Sequence, residues 1–129
     1  MTRRRFLGVL GGVGLASLAG CASGDTAESR FRGALASADI EVRALSAERG
    51  GWELEYLTTA TTTDGLRTEA RTIALAYADH HPDGDHTLGA VAIADAEDAL
   101  TAEWRVEAAW TTDGETAYFD RVRETTDAF

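Results

Sequence analysis

All three histidines of the chain lie within seven residues, in His80-His81-Pro82-Asp83-Gly84-Asp85-His86. Imidazole and carboxylate together are ligands for zinc, copper or nickel. His80, Asp85 and His86 supply three donors to one ion if the loop folds back on itself. The competing reading is a polar helix end and turn, since histidine suits the negative end of a helix and Asp-Gly shapes turns. A second cluster runs from Thr58 to Thr63, with five threonines in six positions. Hydroxyls at a strand end followed by a helix N-terminus can hold an anion, but threonine also serves as strand former and helix cap. Trp52, Tyr56, Trp104 and Trp110 would offer a stacking surface for a sugar or a partner if they faced away from the core. Their alternation points inward, and Trp110, at a strand end, is the candidate for exposure. Glu53/Glu55 and Glu103/Glu107 are carboxylate pairs at strand spacing. Such pairs can in principle hydrolyse glycosides, but a solvated acidic face explains them better.

Other chemistries are excluded by what the chain lacks. There is no lysine for a Schiff base, and no serine in a nucleophile elbow. Cys21 is the only cysteine, so no internal disulfide, CxxC redox pair or zinc finger can form.

Cys21 has a context of its own. Thr2-Arg3-Arg4-Arg5-Phe6-Leu7 matches the twin-arginine export motif, carried by Arg3, Arg4, Phe6 and Leu7. An apolar run of 14 residues, Phe6 to Ala19, follows; a membrane-spanning helix needs about 20. Leu18-Ala19-Gly20-Cys21 then reads as a lipobox, in which small residues admit the peptidase and the Cys21 thiol forms the thioether to lipid. The expectation is a signal over 1–21, a tether over 22–27, and one domain over 28–129. A two-chain lipid on Cys21 would hold that domain at the outer face of the membrane.

Charge is divided along the same boundary. Beyond Cys21 stand nine arginines and all 22 acidic residues, a formal charge of −13. Such a surface repels phosphate, so nucleic acid is excluded as a partner. Self-repulsion works against the compact state at low salt and is screened at high salt. The acidic surface, the absent lysine and the abundant Ala, Thr and Asp resemble proteins of salt-loving archaea. With the leader and the order of elements below, the chain resembles the small twin-arginine-exported lipoproteins of haloarchaea. That resemblance implies an address and an anchor, and brings no activity and no catalytic residues.

The elements that must position these residues can be read from periodicity. Phe31, Ala34, Leu35 and Ala38 make one stripe of a helix over about Ala27–Ser37, capped by Thr26. Residues 40–60 read as a hairpin turning at Glu48-Arg49-Gly50-Gly51. Thr62-Thr63-Asp64 opens a helix with Leu66, Ala70, Ile73, Ala74 and Tyr77 inward; it stops near His80 because Pro82 disfavours helical geometry at His81. Leu88–Ala94 is apolar on both faces, and Leu100–Trp110 alternates cleanly. Thr112-x-x-Glu115 is a capping box for a last helix carrying Tyr118, Val122, Thr125 and Phe129. Trp52-Glu53-Leu54-Glu55 is faintly echoed by Trp104-Arg105-Val106-Glu107, and Thr62-Thr63-Asp64-Gly65 by Thr111-Thr112-Asp113-Gly114. The predicted fold is α+β: a two-layer sandwich of order α-ββ-α-ββ-α, with a four-stranded antiparallel sheet and helices on one face.

These observations favour a non-enzymatic, membrane-anchored binding or assembly module whose partner is an envelope protein or a small ligand. Metal binding or metal-dependent catalysis by the His80–His86 loop is the alternative. A third reading has the helix-free sheet face pairing with a second copy.

Overall fold

The computed structural model describes residues 26–129. The export motif, Cys21 and most of the tether lie outside the described residues. Helix α1 (Ala27–Ser37) starts at Thr26, whose hydroxyl accepts from the Ser29 amide at 3.0 Å. It buries Phe31 and Leu35 and ends where Asp39 turns left-handed at φ 64°, letting the Ile40 amide reach Leu35 O. Strand β1 (Glu41–Glu48) and strand β2 (Gly51–Thr58) form an antiparallel hairpin across Arg49-Gly50, with Gly50 at φ 78°. Helix α2 (Thr63–His80) is capped by Thr62, and all five residues of its expected inner stripe are buried. Strand β3 (Thr87–Ala94) and strand β4 (Ala102–Glu107) make the second antiparallel pair. A 3-10 turn (Ala108–Thr112) leads to helix α3 (Glu115–Arg123).

The sheet order is β1-β2-β3-β4, and β2 pairs with β3 in parallel. The sheet is therefore mixed, which corrects the antiparallel expectation. The reason is the length of α2. Its 18 residues rise about 27 Å at 1.5 Å each, roughly the length of an eight-residue strand. The chain is thus returned to the end of the sheet where β2 began, and β3 must run alongside it.

Other details also differ from expectation, among them the last helix, which ends at Arg123 and leaves Thr125 and Phe129 outside it. The alternating stretch before the last helix is a strand only from Ala102 to Glu107, and Leu100 is exposed. The capping box does not form. The Thr112 hydroxyl donates to Ala109 O at 3.3 Å, and Gly114, at φ 78°, precedes α3 with no side-chain cap. The two Thr-Thr-Asp-Gly segments are consequently not equivalent: Gly65 lies inside α2, whereas Gly114 precedes α3.

The helices share one face of the sheet. Trp52, Leu54 and Tyr56 of β2, Leu88, Ala90 and Ala92 of β3, and Ala102, Trp104 and Val106 of β4 are buried in a single core with the inner residues of all three helices. Alanines on β3 leave room for large rings from its two neighbours. Across them Trp104 Nε1 donates to Tyr56 Oη at 3.1 Å, both groups being buried. Burial raises the Tyr56 hydroxyl pKa to about 12. Helix α3 is fastened to α2 by Tyr118 Oη, donating to Ala74 O at 2.6 Å, and by the Arg71–Glu115 ion pair at 3.0 Å.

Each edge strand takes a side-chain hydrogen bond at one residue, where an open edge would invite pairing with other chains. On β1, Arg32 donates to Leu45 O at 3.3 Å and the register shifts between Val42 and Ala44. On β4, the Arg105 amide donates to Thr125 Oγ1 at 2.9 Å.

Candidate functional site

The histidine loop folds into the core's edge. With Pro82 next in sequence, His81 leaves the helix in extended geometry, and its Nδ1 donates to Pro82 O at 2.7 Å. His86 returns beside it. Its Nδ1 lies 2.7 Å from Tyr77 Oη, its ring stacks on Tyr77 at 5.8 Å, and Trp52 meets it edge-on at 4.8 Å. Phe31 completes the cluster, stacked on Trp52 at 5.2 Å. Burial, followed by the nearby His81, lowers the His86 pKa below its ordinary value. Burial, followed by Glu107, raises that of Tyr77. Both shifts favour the neutral forms of the two groups.

The histidines that meet at Tyr77 are therefore His81 and His86. Of the three residues expected to share a metal, Asp85 is exposed and His80 takes no part in the ring cluster. Among the described residues, no three His, Cys, Asp or Glu side chains are grouped to hold one ion.

The threonine cluster is consumed locally. Buried Thr58 donates to Glu69 Oε1 at 2.7 Å and accepts from the Ala60 amide at 3.0 Å, while Thr62 caps α2. Of the aromatic set, Trp52, Tyr56 and Trp104 are core residues. Trp110 is half-buried, because the strand ends before it and the 3-10 turn rotates it under Arg121, whose guanidinium carbon sits 5.9 Å from the ring centre. Arg121 is itself paired with Asp113 at 3.2 Å.

The remaining surface is the sheet face without helices. Alternation places Glu53, Glu55 and Leu57 of β2, Gly89, Val91 and Ile93 of β3, and Glu103 and Arg105 of β4 on it. Leu57, Val91 and Ile93 are half-buried, and the three glutamates and Arg105 are exposed. The register sets Glu53, Gly89 and Arg105 in one row across three strands. The Glu53 carboxylate lies over Gly89, so that a Cβ there would be 2.9 Å from both of its oxygens. Between Glu53, Glu103, Arg105 and Thr125 is a cleft of about 280 Å³, floored by Gly89 and Val91. Neither Glu53 nor Arg105 makes an ion pair among the described residues.

This row was not recognised in the sequence. Two signals pointed to it: the Trp-Glu-Leu-Glu and Trp-Arg-Val-Glu echo, which makes Glu53 and Arg105 counterparts, and a glycine inside an apolar strand.

The model of a family described as a domain of unknown function, DUF8159, matches residues 22–127. The chain belongs to this family. No curated protein and no solved structure matches it. The DUF8159 match takes in every element described above, including both strands that carry Glu53 and Arg105. No helix among the described residues is long and apolar enough to cross a membrane.

Proposed function

We propose that this protein is an exported lipoprotein, held at the outer face of the cell membrane by lipid on Cys21. Its DUF8159 domain is a non-enzymatic binding or assembly module for an envelope protein or a small ligand. The observation that carries this reading is the order of signals in the leader: Arg3-Arg4-Arg5-Phe6-Leu7, an apolar run too short to span a bilayer, then Leu18-Ala19-Gly20-Cys21. The family match supports it by beginning at residue 22, directly after the cysteine. The helix-free face supports a binding role, since it presents charged side chains of both signs around a half-buried apolar centre. We also read the chain as belonging to a salt-loving archaeon. The charge of −13 beyond Cys21 and the absence of lysine support that origin.

The test is fractionation of cells expressing wild type and Cys21→Ala. Wild type sediments with membranes, and the variant moves to the medium or accumulates unprocessed. Identical fractionation of the two would refute lipid anchoring at Cys21.

A further inference from the structure

Two imidazoles pack on one phenol at the edge of the core. The His81 and His86 rings lie 5.4 and 5.8 Å from the Tyr77 ring. They are placed differently toward a proton. His86 meets Tyr77 and Trp52, and burial, then the neighbouring His81, disfavours its charged form. His81 sits between two oxygens: its Nδ1 is 2.7 Å from Pro82 O, and its Nε2 is 3.3 Å from Thr111 Oγ1. Pro82 O can only accept. The single Thr111 hydroxyl proton goes to Ala108 O at 2.7 Å, closing the 3-10 turn on itself. Each neutral form of His81 therefore leaves one contact unmade. With the ring proton on Nδ1, Nε2 faces a hydroxyl whose proton is elsewhere, or draws that proton off Ala108 O. With the ring proton on Nε2, the Nδ1 lone pair faces the Pro82 carbonyl. Only the doubly protonated ring donates at both ends and leaves the Thr111–Ala108 bond intact.

We propose that His81 is a proton-operated clasp, which locks the α2–β3 connection onto the 3-10 turn through Thr111. Charged, it bridges Pro82 O and Thr111 Oγ1. Uncharged, it gives up one hydrogen bond, and the turn that carries Trp110 and leads into α3 loosens. Histidine changes charge between pH 5 and 8, so this corner tightens on acidification and relaxes as pH rises. The elements around the ring bring mostly acids. Asp79 and His80 end α2, Asp83 and Asp85 lie in the connection, and Glu107 ends β4 close enough to act on Tyr77. The β1–β2 turn beside Thr87 carries Glu48 and Arg49, and Asp113, after the 3-10 turn, is bound to Arg121 at 3.2 Å. Phe31 of α1 and Trp52 of β2 meet the cluster without charge. The surplus of carboxylates favours one charge here, and the burial of His86 directs it to His81. The clasp rests neither on the binding role of the domain nor on the lipid anchor.

The experiment is amide hydrogen exchange, read by mass spectrometry, on the full protein purified from membranes in detergent and molar salt. Labelling times at pH 5 and pH 8 are scaled to the intrinsic exchange rate. The reporter is segment 108–114, in which the Asp113 amide donates to Trp110 O at 3.1 Å. Segment 66–76 of α2 is the reference, so a pH effect on the whole domain is subtracted. Wild-type 108–114 is about fivefold more protected at pH 5 than at pH 8, the equilibrium equivalent of one net hydrogen bond. His81→Gln and Thr111→Val remove this difference. Thr111→Ser, which keeps the hydroxyl, retains it, and so does His86→Gln. A merely structural role for Thr111 would lower protection equally at both pH values. Equal protection at pH 5 and pH 8 in wild type, a difference that survives His81→Gln or Thr111→Val, or one that disappears with His86→Gln would overturn the proposal.

Discussion

Gly51 is where the parallel pairing of β2 and β3 begins, and replacing it with alanine probes that junction. A Cβ at Gly51 would lie 2.5 Å from Thr87 O, 3.4 Å from Thr87 C and 3.6 Å from Thr87 N. All three are backbone atoms of the neighbouring strand, so no side-chain rotation relieves the contact. An ordinary carbon–oxygen approach is about 3.3 Å, and the strands must part by several tenths of an ångström. The bond from the Thr87 amide to Gly50 O, 3.0 Å long, spans this junction and is strained with it. Loss of one or two backbone bonds at about 1 kcal/mol each, with about 1–2 kcal/mol of packing strain, gives a cost of about 2–4 kcal/mol. For a domain of this size that lowers Tm by roughly 10–25 °C. Gly89→Ala is the internal comparison. Its Cβ meets only the end of the Glu53 side chain, which can swing away into solvent, so its cost stays below about 1 kcal/mol. Thermal and urea unfolding of both variants in molar salt checks the difference. A Gly51→Ala protein within 0.5 kcal/mol of wild type, or no less stable than Gly89→Ala, would refute the β2–β3 register.

Tyr56→Phe strands the buried Trp104 Nε1 donor and costs about 1–3 kcal/mol; the double variant with Trp104→Phe recovers part of that loss, which a urea double-mutant cycle measures. His86 has a folded pKa below its ordinary value of 6.5, so the unfolded chain takes up this proton first as pH falls. Its contribution to stability is intact above about pH 6.5 and is lost as pH drops through that value toward the folded pKa. His86→Gln makes the stability profile flatter in that window; an unchanged slope would contradict burial of the His86 ring at the edge of the core. Screening of the −13 charge makes Tm rise with salt concentration, and a salt-independent Tm would contradict the self-repulsion argument.

Much of the fold was legible because it is encoded locally. Thr26 and the Phe31/Leu35 stripe defined α1 at its observed bounds, and the inner stripe of α2 was read residue by residue. Turn residues identify hairpins, but nothing local states how two hairpins are joined. The parallel β2–β3 pairing depends on α2 spanning the sheet, a comparison of lengths rather than a motif. Trp110 escaped its alternation because the strand ends at Glu107. Thr112 lost its capping role to a nearer carbonyl. The candidate cleft was the least legible feature. Glu53, Gly89 and Arg105 are far apart in sequence, and each is unremarkable alone; only the register puts them in one row. The histidines, conspicuous by spacing, are drawn instead into an aromatic cluster at Tyr77.

The most direct test of the central claim is the intact mass of the protein extracted from membranes. The account predicts a chain that begins at Cys21, with the 20 preceding residues removed, and that carries added lipid mass on that residue. An unmodified chain that retains Arg3-Arg4-Arg5, or a mature chain with a free Cys21 thiol, would contradict it.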